Sequence, residues 1–208
     1  MDSPKFDLKL FLHDASGVEL GAFIPLFHRW IQTQCLEELL IDVADYRHVP
    51  HGPGIVLIAH DAHYAMDMAE GRLGLLYSRR RETHPSRHAI HGMEDRLWSV
   101  LQCALTACQH LETDPTFEGQ LRFRGDELLV RLNDRLLAPN TEAAYDELRQ
   151  ALAPFLAMLY LDSQVTVEHM REGASRLTVA IKAAENPDVA TLLSRLGARR
   201  PYVSTMGT

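Results

Sequence analysis

The chain has 208 residues, of which 46% are hydrophobic and 24% are charged, and its formal net charge is −7 at pH 7. These values exclude a disordered chain and are typical of a globular protein with one substantial core or two small ones. The negative charge argues against general binding to nucleic acid or to an anionic membrane, because both depend on summed positive charge.

The chain also lacks the marks of export or membrane insertion. Its longest apolar run, FLAMLYL from Phe155, is far shorter than the roughly 20 residues that cross a bilayer. The segment MDSPKFDLKL has no basic region followed by an apolar one. The chain has an odd number of cysteines, and all three lie inside apolar segments: Cys35, Cys103 and Cys108. Both features fit free thiols in a reducing compartment. We therefore expect a cytoplasmic protein.

The N-terminal region predicts a strand followed by a helix. FDLKLFLHD alternates, with Phe6, Leu8 and Leu10 on one side and Lys9 on the other, which is the period of a strand. FIPLFHRWIQTQ has the apolar spacing of an amphipathic helix, and Pro25 falls in the first turn, where a missing N–H costs nothing.

The segment from Leu39 to Arg81 has the best strand signals and the densest set of reactive side chains. LLIDVADY alternates, VPHGPG forces a turn, and GIVLIAHDAHYAMD continues as one long strand unless it breaks near Asp61. LGLLYS supplies a further strand. These short connections predict an antiparallel meander of three strands.

After the meander, a long helix closes the first half, and the second half repeats strands and helices. From Ile90, apolar residues recur at threes and fours, which predicts a long buried helix, and TDPTFEG ends it. QLRFRGDELLVRLND predicts a hairpin that turns at Gly125 and Asp126. A helix capped by Asn140 or Thr141, another hairpin and a last helix capped by Asn186 complete the chain.

Hairpins that alternate with helices predict an α+β fold, with a mainly antiparallel sheet covered by helices on one side. We divide the chain into an N-terminal α+β half, residues 1–112, a C-terminal α+β half, residues 120–198, and a loose tail, residues 199–208. Both halves follow a similar order of strands and helices, which suggests an internal duplication at the level of topology only. No glycine-rich phosphate loop follows a strand.

The candidate catalytic residues are Asp42, His60, Asp61 and His63. His60, Asp61 and His63 form an H-D-x-H cluster that could bind zinc or iron through the two histidines. On a regular strand His60 and His63 face opposite ways, so joint ligation requires a bulge or turn. Asp42 could hold either imidazole for acid–base chemistry. The alternative is one histidine bonded in the sheet and one in solvent.

The candidate ligand-binding residues are Tyr46, Tyr64 and the run from Arg79 to Arg81, with Arg80 between. Arginines so close together could hold a phosphate or carboxylate, and the tyrosines could line a pocket. The alternatives are a charged strand end that prevents edge pairing and tyrosines that pack.

His84, His88 and His91 would share a helix face if a helix began early, or else belong to a mobile polar loop. The favoured function is a cytoplasmic binding or accessory protein, expected to be a homodimer, with a small-molecule pocket or protein interface at residues 39–81. The first alternative is a His/Asp-based enzyme, with zinc or iron as a cofactor. The second is anion or nucleic-acid recognition by the arginine run.

Overall fold

A computed structural model describes residues 5–80, 92–135, 138–171 and 176–198. The strands are β1 (Phe6–Leu12), β2 (Leu40–Tyr46), β3 (Gly54–Ala59), β4 (Ala62–Asp67), β5 (Gly74–Arg79), β6 (Phe123–Leu132), β7 (Val165–His169) and β8 (Thr178–Ala183). The α-helices are α1 (Phe23–Thr33), α2 (Met93–Thr113), α3 (Glu142–Tyr160) and α4 (Val189–Gly197).

The eight strands form one sheet in the order β2-β3-β4-β5-β1-β6-β8-β7. Every neighbouring pair is antiparallel. β1 pairs with β5 on one side and with β6 on the other, so strands from both parts of the chain share the sheet. The predicted α+β fold with a mainly antiparallel sheet is confirmed.

The four α-helices pack on one face of the sheet, hereafter the helix-covered face. Phe6, Leu8 and Leu10 of β1 lie in the core between this face and the helices. α1 packs against β2 and β3, α2 against β1 and β5, α3 against β7, and α4 against β6. None of the described helices combines the length and the apolar composition that a membrane span requires.

The opposite side of the sheet, hereafter the second face, carries Asp7, Lys9 and Phe11 of β1, and all three are buried. The turn after β4 folds back over this face, because the Lys9 ammonium donates to the Ala69 carbonyl at 2.7 Å. Glu70, in this turn, has a left-handed backbone with φ of 58°. Both faces of β1 are therefore buried, one under the helices and the other under the turn after β4.

The meander contains four strands rather than the predicted three. The run from Ile55 to Asp67 reverses at His60 and Asp61, and β3 pairs with β4 so that Leu57 lies opposite Tyr64. The Arg80 N–H donates to the Asp61 carbonyl at 2.8 Å. The break near Asp61 is thus a full turn, which apolar periodicity alone did not distinguish from a continuous strand.

The predicted hairpin at Gly125 and Asp126 was wrong, because both residues lie inside the continuous strand β6. A Cβ at Gly125 would stand 1.9 Å from the Pro187 carbonyl oxygen, so the glycine permits a close approach of two backbones. The Asn186 side chain accepts hydrogen bonds from the N–H groups of both residues. Asn186 is therefore not the cap of α4, which is Asp188.

Candidate functional site

Asp42 and His63 lie in one row across the second face. They are the two cross-strand partners of Ile58 on β3, so all three side chains share a face. Asp42 and His63 are therefore two strands apart, about 10 Å by the usual strand spacing. The Asp42 carboxylate accepts a hydrogen bond from the Val43 N–H at 2.8 Å. Acid and imidazole share a face, but Ile58 separates them.

His60 and Asp61 pair with each other at the turn between β3 and β4. His60 Nδ1 and Asp61 Oδ1 are 2.8 Å apart, and the His60 side chain is 46% exposed. His63 is half-buried on β4, where burial and the Arg80 charge lower the pKa of its imidazole. Among the described residues, no group of three or more His, Cys, Asp or Glu side chains could hold a metal ion.

The row on the second face continues from His63 to Ser78 on β5 and Asp7 on β1. Asn133 donates to Asp7 Oδ2 at 3.3 Å, whereas buried Asp7 Oδ1 has no hydrogen-bond partner among the described residues. Burial raises the pKa of Asp7, against the opposing effects of Ser78 and Arg131. Asp7 was not predicted as a site residue, because a charged residue on an alternating strand usually faces solvent.

A second polar cluster lies on the helix-covered face around Glu38, which the sequence analysis missed. The Glu38 carboxylate accepts hydrogen bonds from the hydroxyls of Tyr64 and Tyr77, the latter at 2.7 Å. Arg79 Nε donates to the Tyr77 hydroxyl at 2.7 Å, and Arg79 Nη2 lies 3.8 Å from Glu38. Tyr64 and Arg79 therefore both contact Glu38, but the Tyr64 and Tyr77 side chains are fully buried.

Arg79 connects this cluster to α2. Its Nη2 atom donates to Ser99 Oγ at 3.0 Å and contacts Cys103 Sγ at 3.6 Å. Burial, with a contribution from Glu38, raises the pKa of the Cys103 thiol to about 12. Because only a thiolate is a strong nucleophile, Cys103 is unreactive near neutral pH. Through these contacts, the polar cluster connects β4 and β5 of the sheet to helix α2.

The remaining predicted site residues do not join either cluster. Tyr46 ends β2 and is 42% exposed. Arg80 is exposed after β5. Arg81 and the three-histidine set of His84, His88 and His91 lie outside the described residues.

Large apolar side chains are exposed along β2 and its flanks, at one end of the strand order. The exposed fractions are 61% for Leu39, 51% for Ile41, 42% for Tyr46 and 40% for Val49. These four account for more than half of the seven exposed large hydrophobic residues in the described ranges. We call residues 39–49 the β2 edge. Single exposed apolar residues are ordinary, whereas a group in one place indicates an interaction surface.

The opposite edge, β7, is polar and partly closed. Its exposed side chains are Thr166 and Glu168. The Tyr145 hydroxyl of α3 donates to the Val167 carbonyl at 2.9 Å, and His169 stacks on the Tyr145 ring at 4.7 Å between centroids. Such features protect an edge strand against pairing with another chain. The two edges of the sheet therefore differ in chemistry.

An apolar cavity of about 10 Å³ lies between the sheet and helices α2 and α3, lined by residues that include Leu8, Leu101 and Phe155. This volume holds at most one water molecule. Comparisons of the chain with models of known families, with curated proteins and with solved structures find no match. Its function is therefore inferred from its own contacts, burial and charges.

Proposed function

We propose that this protein is a cytoplasmic binding or accessory protein that contacts another protein through the β2 edge. The observation that supports the proposal is the group of exposed apolar side chains there, led by Leu39 and Ile41. Removing exposed apolar side chains from water is favourable, so a partner that covers them is stabilised. The free thiols of Cys35, Cys103 and Cys108 fit a reducing compartment.

The enzyme alternative has less support in the geometry. General acid–base catalysis needs an acid and a base within hydrogen-bond reach of the reacting proton. Asp42 is two strands from His63, and His60 is paired with Asp61 at an exposed turn. The side chains of the polar cluster around Glu38 bond one another and are almost fully buried, so a substrate could hardly reach them.

Site-specific photo-crosslinking tests the proposal in cells that make the protein. A benzoylphenylalanine at Ile41 on the β2 edge is compared with the same group at Thr166, an exposed position on β7. We expect illumination to give a discrete covalent protein adduct from position 41 and not from position 166. Equal adduct formation at both positions, or none at position 41, would reject the β2 edge as an interface.

A further inference from the structure

The backbone groups of β2 that face away from β3 can be assigned from their hydrogen bonds. The Leu40 N–H and carbonyl both bond the side-chain amide of Gln34, each at 3.0 Å. The pairing with β3 then shifts by one residue between Leu40 and Asp42. Before this bulge the even-numbered residues of β2 point their peptide groups away from β3, and after it the odd-numbered residues do. The hydrogen bond of the Val43 N–H supports this assignment, because that N–H donates to the Asp42 carboxylate and not to β3. Val43 and Asp45 therefore present outward peptide groups.

These outward groups allow β2 to pair with itself. In an antiparallel pair, outward-facing residues must meet outward-facing residues of the other strand. Val43 then lies opposite Asp45 of a second copy, and Ala44 lies on the twofold axis, where two small side chains meet without a clash. Strand β2 ends at Tyr46, so the pairing runs from Asp42 to Tyr46 of each copy. The strand is thus complementary to itself.

The charges of β2 favour this register over its neighbours. A shift in one direction brings the Asp45 carboxylates of the two copies together, which is unfavourable although each also binds its own Arg47. A shift in the other direction brings Leu40, whose outward peptide groups bond the Gln34 amide, opposite Tyr46, whose peptide groups face β3. In the register with Ala44 on the twofold axis, Asp42 lies opposite the uncharged Tyr46 of the second copy.

We propose that the partner at the β2 edge is a second copy of this chain, paired antiparallel through β2 about a twofold axis at Ala44. The inference rests on the proposed function and names its partner. On pairing, the Val43 N–H leaves the Asp42 carboxylate and donates to the Asp45 carbonyl of the second copy. The two eight-stranded sheets become continuous, while each polar β7 remains a free edge.

Disulfide trapping tests the register. Residues on the axis form a non-hydrogen-bonded pair whose Cα atoms are about 4.5 Å apart, within the range that a disulfide spans. Ala44→Cys is therefore made in a Cys35→Ser background, because Cys35 is partly exposed. Under mild oxidation, we expect a covalent dimer from Ala44→Cys and none from the matched Thr166→Cys.

A proline substitution tests the backbone pairing by sedimentation of the purified protein. The Asp45 N–H faces away from β3, so Asp45→Pro removes a donor that only the second copy would use. We expect wild type and the matched Asp45→Ala to double in mass as concentration rises, and Asp45→Pro to stay monomeric. Circular dichroism of both variants checks that they remain folded, so that a loss of dimer is not a loss of fold.

The outcomes separate this inference from the proposed function. A wild-type protein that stays monomeric, or an Ala44→Cys variant that crosslinks no better than Thr166→Cys, rejects the twofold pairing. If Ile41 then still captures a different protein in cells, the β2 edge remains an interface for that protein. If it captures nothing, both proposals fail.

Discussion

The Lys9 ammonium lies 2.7 Å from the Asp67 carboxylate on the second face, and neither side chain is more than 5% exposed. Lys9 also donates to the Ala69 carbonyl at 2.7 Å and to the Glu70 carboxylate at 2.9 Å. Its three donors are thus satisfied. Lys9 therefore anchors the turn after β4 to the centre of the sheet.

Replacing Lys9 with methionine should destabilise the protein by about 3–5 kcal/mol, because Asp67 becomes a buried charge without its main partner. Urea denaturation measures the loss of unfolding free energy. The double variant Lys9→Met with Asp67→Asn should recover part of that loss, since it removes both charges together. A double variant no more stable than Lys9→Met would contradict the role of the ion pair.

Asp7 gives a pH-dependent prediction. Burial raises the pKa of its carboxyl above the usual 3.8, so the folded state binds this proton more tightly than the unfolded state does. The stability contribution of Asp7 therefore falls as pH rises from about 3.8 through the folded-state pKa. Asp7→Asn should be more stable than wild type at neutral pH, and the difference should vanish at pH values below 3.8.

Asp14→Asn is the matched control for the pH series. Hydrogen bonds from Ser16 lower the pKa of the exposed Asp14 carboxyl, so its stabilising contribution is present at neutral pH and lost on acidification. The two variants should thus differ from wild type in opposite directions at neutral pH. Urea denaturation across pH measures both, and a pH-independent effect of Asp7→Asn would refute the assignment.

Gly125→Ala should destabilise the protein by about 1–3 kcal/mol or more, because overpacking displaces neighbouring backbone. The added Cβ would meet the Pro187 carbonyl oxygen at 1.9 Å and push the Asn186 side chain from the Gly125 N–H. Gly197→Ala is the control, since a Cβ there meets open space. Thermal unfolding should show a lower midpoint for Gly125→Ala alone.

Gly125 also shows where sequence patterns fail. β1 and α1 were predicted, because alternation and helical periodicity are local properties. Capping is local too, and of the two predicted caps for α3, Asn140 or Thr141, the cap is Thr141. Gly125 next to Asp126 has the composition of a hairpin turn, but its role is set by Pro187, which is distant in sequence. Local composition cannot reveal such a contact.

The candidate site illustrates the same limit. The shared face of Asp42 and His63 follows from strand pairing, but their separation depends on the register of β3, which places Ile58 between them. Asp7 and Lys9 alternate with apolar residues as on a solvated face, yet both are buried. Their burial depends on tertiary contacts such as the turn after β4, which periodicity does not encode.

The Tyr77 hydroxyl joins two charged groups, since it donates to Glu38 Oε1 and accepts from Arg79 Nε, each at 2.7 Å. Tyr160 is its matched control, because its buried hydroxyl donates to the neutral Gly125 carbonyl at the same distance of 2.7 Å. A hydrogen bond to a charged group contributes about 1.5–3 kcal/mol, against about 0.5–1.5 kcal/mol for a neutral one. The two tyrosines therefore separate the effect of charge from that of burial.

Tyr77→Phe should accordingly cost about 1.5–3 kcal/mol of unfolding free energy, and Tyr160→Phe about 0.5–1.5 kcal/mol. Urea denaturation at neutral pH measures both losses with the same change in side-chain volume. In a Glu38→Gln background the cost of Tyr77→Phe should shrink towards that of Tyr160→Phe, because the acceptor is then neutral. Equal losses in the wild-type background would mean that Glu38 and Arg79 do not strengthen the Tyr77 hydrogen bonds.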